Sequence, residues 1–313
     1  MEPGYLELYR SGELERRIEQ LYHILESCEL CARKCRVNRL KGETGYCRSG
    51  AELLVSAAHP HFGEEDPLVG PGRFQGIGGS GTIFLTNCNL GCLYCQNYEI
   101  SHLGQGSPIS PEELAQWMVR LQQRGCYNIN WVTPTHFTPQ LVKSLKFAIE
   151  LGLRVPIVYN CGGYENVETI KLLEGIVDIY MPDIKYSASE PARKYSNAPD
   201  YFERCKEAVK EMHRQVGDLK LDRRGIAWRG LLIRHLILPN DLAGSEQVLR
   251  FIAEEISRDS YVNLMFQYRP MFRASEFPEL DRRPHLSEYN RAVDIALKLG
   301  LHRGFRREYL LSI

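Results

Sequence analysis

From residue 81 onward, short apolar runs alternate with stretches whose apolar residues recur at helical spacing. The runs are GTIFLT (81–86), NINWVTP (128–134), VPIVYN (155–160), IVDIYMPDIKY (176–186), LLIRHLILP (231–239) and VNLMFQY (262–268). Each is short, apolar and rich in β-branched or aromatic residues, the signature of a strand buried on both faces. Between the first two runs, Ser110 caps a helix with Pro111 at its first position and Glu112 and Glu113 in its first turn. Leu114, Trp117, Met118 and Leu121 form its apolar stripe, and Gly125 ends it. Leu141, Leu145, Ala148 and Ile149 mark the next helix. Further helices are expected from about Glu165, over 200–216 and over 248–256. Six strands joined by crossover helices predict an α/β fold, a parallel sheet curled into a partial (β/α)6 barrel of the TIM type.

The first eighty residues break this alternation. Leu14, Ile18, Leu21 and Leu25 share one helical face, and a cysteine-rich loop follows. AELLVSA (51–57) predicts a strand, and residues 59–79 predict a turn-rich connector. A last helix is expected over 287–299. The chain therefore divides into an N-terminal cysteine-rich extension (1–80), a barrel (81–275) and a helical tail (276–313). GIGGSG (76–81) fits the G-x-G-x-x-G dinucleotide pattern but precedes a strand instead of following one, so it reads as a flexible lead-in turn.

Thirty-nine basic residues balance thirty-nine acidic ones in 313. Zero net charge, without a basic aromatic-rich stripe, argues against a nucleic-acid partner or a zinc-knuckle reader. No apolar run approaches the roughly 18 residues of a membrane span. The opening MEPGYLELYRSGELERRIEQ lacks the apolar core of a secretory signal, so a cytoplasmic location is expected. Seven of the ten cysteines fall in two clusters. In such a chain, clustered cysteines point to metal or redox chemistry before disulfides.

TNCNLGCLYCQN places Cys88, Cys92 and Cys95 on a tight loop after the first strand of the barrel. Three thiolates reach three corners of a cubane, whereas an ordinary 4Fe–4S cluster takes four, so one iron stays open. The next cysteine is Cys126, a helix and a turn away. Tyr94 adds a flat ring beside that iron. A zinc site here would need a fourth ligand such as His102. Cys28, Cys31, Cys35 and Cys47 form a closed set, suited either to a structural zinc or to an auxiliary 4Fe–4S cluster. Cys126, Cys161 and Cys205 are isolated and read as small buried apolar residues. Of these, Cys161 sits at a strand end facing the expected site.

In parallel barrels the C-terminal strand ends build the active site. There the chain offers Thr133, Thr135 and His136, then Asn160 with Cys161 and two glycines, then Asp183 and Lys185. Asp183 and Lys185 alternate and so share a face, while Arg234 and His235 point to opposite faces. Arg234 is the inward candidate, needing an anionic partner, and His235 a packing residue. Gln267 and Tyr268 are candidate contacts for adenine or substrate. His59, His61, Glu64 and Glu65 are candidates for covering a substrate opening.

The stretch GSGTIFLTNCNLGCLYCQNYEIS, with Cys-x3-Cys-x2-aromatic-Cys after a first strand, resembles the signature of radical S-adenosylmethionine enzymes. It is most similar to the pyruvate formate-lyase activating-enzyme branch, and the resemblance extends more weakly over residues 28–268. It implies a 4Fe–4S cluster whose open iron is chelated by S-adenosylmethionine. One electron then cleaves the sulfonium, giving methionine and a 5′-deoxyadenosyl radical. The implied cofactor contacts are Tyr94, Thr135 to the ammonium, His136, Asn160, Arg234 to the carboxylate, and an Asp183–Lys185 pair in which the lysine meets the carboxylate. Where the branch usually reads GGE, this chain reads TPTH. The resemblance also implies a reduced flavodoxin or ferredoxin-type electron donor and hydrogen abstraction, with a glycyl-radical enzyme as protein substrate. Modification of another peptide or of a small molecule is the alternative. A non-catalytic iron–sulfur or zinc electron-transfer protein is the competing class, and it has no use for polar strand ends.

Overall fold

A computed structural model describes residues 2–71, 76 and 78–306. Its strands are β1 (Leu53–His61), β2 (Ser80–Leu85), β3 (Ser107–Ile109), β4 (Ile129–Val132), β5 (Ile157–Cys161), β6 (Ile179–Pro182), β7 (Lys220–Leu221), β8 (Ala227–Leu236) and β9 (Tyr261–Met265). They form one sheet in the order β3-β1-β2-β4-β5-β6-β8, with β7 and β9 both pairing with β8. The six runs expected to be strands are β2, β4, β5, β6, β8 and β9, all parallel. Val158, Ile179, Met181 and Leu232 make a separate apolar cluster with Leu68 and Leu219, filling space between strands. This is how a partial barrel stays a packed core and not a pore.

The helices are α1 (Tyr5–Arg10), α2 (Glu13–His23), α3 (Asp66–Val69), α4 (Tyr98–Ser101), α5 (Pro111–Gln123), α6 (Thr138–Glu150), α7 (Val167–Leu172), α8 (Ser189–Ser196), α9 (Tyr201–Val216), α10 (Ser245–Phe251) and α11 (Leu286–Lys298). Ser110 caps α5 as expected, its Oγ accepting the Glu113 N–H at 3.1 Å. The helix expected over 248–256 changes character instead: α10 ends at Phe251 and Ile252–Ile256 winds as a π turn. None of the described helices is long and apolar enough to cross a membrane.

The N-terminal part differs from expectation along the connector, where a short helix, α3, also forms. β1 runs on to His61, antiparallel to β2, pairing His59 with Thr82 and His61 with Ser80. The two histidines are therefore strand residues, with rings 5.5 Å and 5.7 Å from Phe84. Alternation through Pro60 keeps both on the Phe84 face. Of the GIGGSG turn, residue 77 lies outside the described residues, and Gly78 and Gly79 lead into β2 with positive φ.

Asp178, 3 % exposed, ties the N-terminus to the barrel. Its carboxylate accepts the Gly4 N–H at 3.0 Å and the Ile157 N–H at 3.1 Å. Burial pushes this carboxyl up to about 6, against the pull of those two N–H groups and of Arg229. A raised acid favours the fold while protonated, so its contribution is present below its unfolded value and is lost as pH rises through about 6. Urea titrations from pH 4 to 7 should show wild type losing up to about 3 kcal/mol relative to Asp178→Asn over that window. A pH-independent gap between the two proteins would contradict this reading.

Candidate active site

β2 delivers the three-cysteine loop through Asn87, whose φ of 65° is a left-handed conformation that asparagine tolerates. Cys88, Cys92 and Cys95 then line one cavity at the C-terminal ends of the parallel strands. Each sulfur accepts a hydrogen bond. Leu90 N–H donates to Cys88 Sγ at 3.3 Å, Ser196 Oγ to Cys92 Sγ at 3.1 Å, and Ser101 Oγ to Cys95 Sγ at 3.1 Å. Loss of solvation pushes the Cys88 thiol up to about 12 and raises Cys92 as well, the latter countered by Lys185. Thiolates in such a place need a bound cation. Three sulfurs already supplied with donors are the donor set an iron–sulfur cluster takes. Among the described residues no three His, Cys, Asp or Glu side chains converge on one lone-ion position, so the fit rests on this donor chemistry. His102, the fourth ligand a zinc site would need, is engaged otherwise. Its Nε2 lies 3.0 Å from the Cys92 carbonyl, and its ring stacks on Phe272.

Opposite the loop, β5, β6 and β8 bring Asn160, Asp183, Lys185 and Arg234 together on the cavity wall. Asp183 accepts from Arg234 Nε at 2.7 Å and from Lys185 Nζ at 2.6 Å, and Arg234 Nη2 donates to Asn160 Oδ1 at 2.7 Å. Burial pushes Asp183 up, but Arg234 and Lys185 outweigh it and hold the carboxyl below its ordinary value. Burial pulls Lys185 down, but Asp183 and Cys92 outweigh it and raise the ammonium. Both groups are therefore charged. Glu64 and Glu65 also reach Arg234, at 3.7 Å and 3.9 Å, and Asn263 Nδ2 donates to Glu65 Oε1 at 2.9 Å. Burial drives Glu64 up to about 7 despite the arginine. Arg234, expected to meet a cofactor carboxylate, is thus placed among three carboxylates of the protein itself.

Thr135 and His136 do not line this cavity, which corrects their expected placement beside a cofactor. Thr133 lines it instead, held at φ 60° with its N–H on the Asn160 carbonyl at 2.8 Å. The 3-10 turn Thr135–Phe137 then carries the chain away from the wall. Thr135 Oγ1 donates to buried Glu165 at 2.8 Å, and His136 Nε2 sits 2.7 Å from the Thr86 carbonyl. Burial lowers His136 to about 3, leaving it neutral. Tyr94 lines the cavity, wedged edge-on between Tyr186 and Tyr268. Cys161, Gln267 and Tyr268 line it too, while Cys126 and Cys205 are buried outside it. His235 packs outside the barrel, with Ile184 O at 2.7 Å and Ser245 Oγ at 2.9 Å. Gly163 serves a tight turn: a Cβ there would lie 2.3 Å from the Asp183 carbonyl.

Cys28, Cys31, Cys35 and Cys47 surround a second, smaller void walled by Leu30, Val37 and His136. The approach is close: a Cβ on Gly45 would lie 2.7 Å from Cys35 Sγ. Arg39, 1 % exposed, spans the void's edge. It donates to the Gly50 and His136 carbonyls and has Nη1 3.9 Å from Cys28 Sγ. Thr133 was a strand-end candidate without an assigned contact, and Glu64 and Glu65, candidates for covering an opening, instead reach Arg234. For Thr133 the Thr-Pro pair at 133–134 is a local signal, since proline biases the backbone before it.

The family model described as the radical SAM superfamily matches residues 82–225. The uncharacterized protein MJ0674 of Methanocaldococcus jannaschii is 32% identical over 304 residues, spanning 95% of this chain and 82% of that one. MJ0808 of the same organism, also uncharacterized, is 23% identical over 91% of this chain and 81% of its own. Among solved structures, a radical SAM methyltransferase from Sphaerobacter thermophilus superposes with a TM-score of 0.51 at 16% identity. That match covers 72% of this chain and 65% of the other, just under two thirds, and is a likeness of fold alone. Three cysteines on the loop after β2, a six-stranded partial barrel and the matching family model agree: the chain belongs to the radical SAM superfamily, whose cofactors are a 4Fe–4S cluster and S-adenosylmethionine.

Proposed function

We propose that this protein cleaves S-adenosylmethionine reductively at a cluster held by Cys88, Cys92 and Cys95 and abstracts a hydrogen atom from its substrate. The supporting observation is that these three sulfurs share one cavity with the charged Asp183–Lys185 pair, so cluster ligands and a carboxylate-binding ammonium face the same space. The bound cofactors supply the one-electron cleavage and the carbon radical. The chain's own residues do the rest. Lys185 presents a fixed ammonium to the methionine carboxylate, and Asp183 holds it in place. Thr133 and Asn160 are the polar groups that line the cavity on the β4–β5 side. Tyr94, Tyr268, Leu85 and Met265 wall off water, which protects a radical from quenching.

The finer reading, an activase that places the radical on a glycine of a partner enzyme, rests on the motif resemblance and its Asp-x-Lys pair. A cytoplasmic setting and a flavodoxin- or ferredoxin-type donor go with it. Anaerobic reconstitution with iron and sulfide, then dithionite and S-adenosylmethionine, should yield 5′-deoxyadenosine and methionine. No product from a protein with an intact cluster would sink the proposal. Deuterium transferred from a glycine-labelled partner into 5′-deoxyadenosine would support the activase form, and label from another peptide or small molecule would replace it.

A further inference from the structure

We infer that the four-cysteine loop holds a second 4Fe–4S cluster, and that electrons reach the three-cysteine cluster through it from a small acidic carrier protein. The inference rests on the radical chemistry proposed above. Three observations carry it.

The first concerns what the four sulfurs enclose. They face a common void with apolar walls, yet among the described residues no three His, Cys, Asp or Glu side chains converge on a lone-ion position. A single zinc draws its sulfurs to about 2.3 Å from one point. A cubane instead gives each sulfur its own iron, so sulfurs spread round a void suit it. The bound group is also anionic. Buried Arg39 touches only carbonyls and Cys28 Sγ, and makes no ion pair with a carboxylate among the described residues. A buried guanidinium needs a counter-charge, and four metal-bound thiolates supply it.

The second concerns the route between the sites. Tyr46, bonded to Cys47, donates through its hydroxyl to the Leu90 carbonyl at 3.3 Å, and the Leu90 N–H donates to Cys88 Sγ at 3.3 Å. Arg33, two residues after Cys31, donates to the Ser196 carbonyl at 2.8 Å, and Ser196 Oγ donates to Cys92 Sγ at 3.1 Å. Its guanidinium lies 3.6 Å over the Tyr46 ring. Two continuous chains of bonds and hydrogen bonds thus join the two sets of sulfurs. Tunnelling weakens exponentially with distance, and bonded routes through Tyr46–Leu90 and Arg33–Ser196 are the kind of contact that favours it.

The third concerns the outer face. Residues 28–48 carry six basic and two acidic side chains in a chain of zero net charge. Lys34, Arg36 and Lys41 are solvent-facing, Lys34 and Arg36 sharing Glu29, and Leu40, next to Lys41 in the chain, is 46 % exposed. An exposed apolar residue next to Lys41, on a segment with net positive charge, fits an acidic carrier. Each turnover then moves one electron: the reduced carrier is oxidised by one, the four-cysteine cluster is reduced and reoxidised, and the three-cysteine cluster ends reduced by one.

The test uses full-length protein, reconstituted anaerobically. Wild type should hold about eight iron atoms and no zinc per chain, and Cys35→Ser about four. With reduced flavodoxin as donor, Cys35→Ser and the surface variant Lys34→Glu/Lys41→Glu should each form 5′-deoxyadenosine at least about tenfold more slowly. With dithionite, small enough to enter the open cavity, the surface variant should stay within about twofold of wild type and keep all its iron. Zinc near one per chain would overturn the inference, as would flavodoxin-driven rates unchanged in both variants. Absence of product from wild type with dithionite would instead overturn the reading on which it rests, and the metal count would still decide the cluster.

Discussion

Cys92→Ala is expected to abolish 5′-deoxyadenosine formation, by at least ~10³-fold, on the order of 4 kcal/mol of barrier. Cys92 sits deepest of the trio, 8 % exposed, with Ser196 bonded to its sulfur and Lys185 close enough to lower its thiol. Without it a cubane keeps two protein ligands, too few to hold it against loss of iron. Alanine is smaller and apolar, so circular dichroism and the urea midpoint should change little, and dithionite assays after reconstitution read the chemistry alone. Cys161→Ala is the control. Cys161 lines the same cavity and is more deeply buried but lies on β5, away from the loop. It should keep its iron and stay within a few-fold of wild type. Product from the Cys92 variant at a wild-type rate would reject the ligand assignment.

Asp183→Asn should be the most destabilising single change on the strand-end wall, costing about 3–5 kcal/mol in urea unfolding. Asp183 is the acid that two buried cations share, at 2.7 Å from Arg234 and 2.6 Å from Lys185. Removing its charge leaves Lys185 with no other carboxylate bonded to it among the described residues, and desolvation then favours the neutral amine. Lys185→Met should cost less, because Asp183 keeps Arg234. The two variants should agree in one respect: both weaken S-adenosylmethionine binding, read by equilibrium dialysis with the reconstituted protein. A loss below 1 kcal/mol for Asp183→Asn would mean that Glu64 and Glu65 suffice for the arginine and that the aspartate is not the keystone of this wall.

Apolar runs located every parallel strand, because a strand covered on both faces must read as continuous hydrophobicity. Alternation alone separated Arg234 from His235 and paired Asp183 with Lys185, since period two is a property of the backbone. Tertiary choices were not legible. Pro60 and Gly63 look like turn residues, yet β1 continues to His61 because β2 offers it an edge. Thr135 was the natural candidate in TPTH, but a left-handed Thr133 takes the wall position and turns Thr135 toward Glu165. Glu65 meets Asn263 across 198 residues, a contact no local pattern encodes. The helix α8, which places Ser196 against Cys92, was likewise not expected from its polar composition.

The first fifty residues are stitched into the barrel at many points. Arg33 grips Asn89 and Leu90, Arg39 grips His136, Arg48 grips Ser101, Asn166 holds the Glu29 carbonyl, and Cys31 bridges Glu165. Such a segment is no detachable cassette. Trimming it would strip the roof from the loop that carries Cys88 and Cys92, so the barrel is not expected to hold that loop in place without its leading segment.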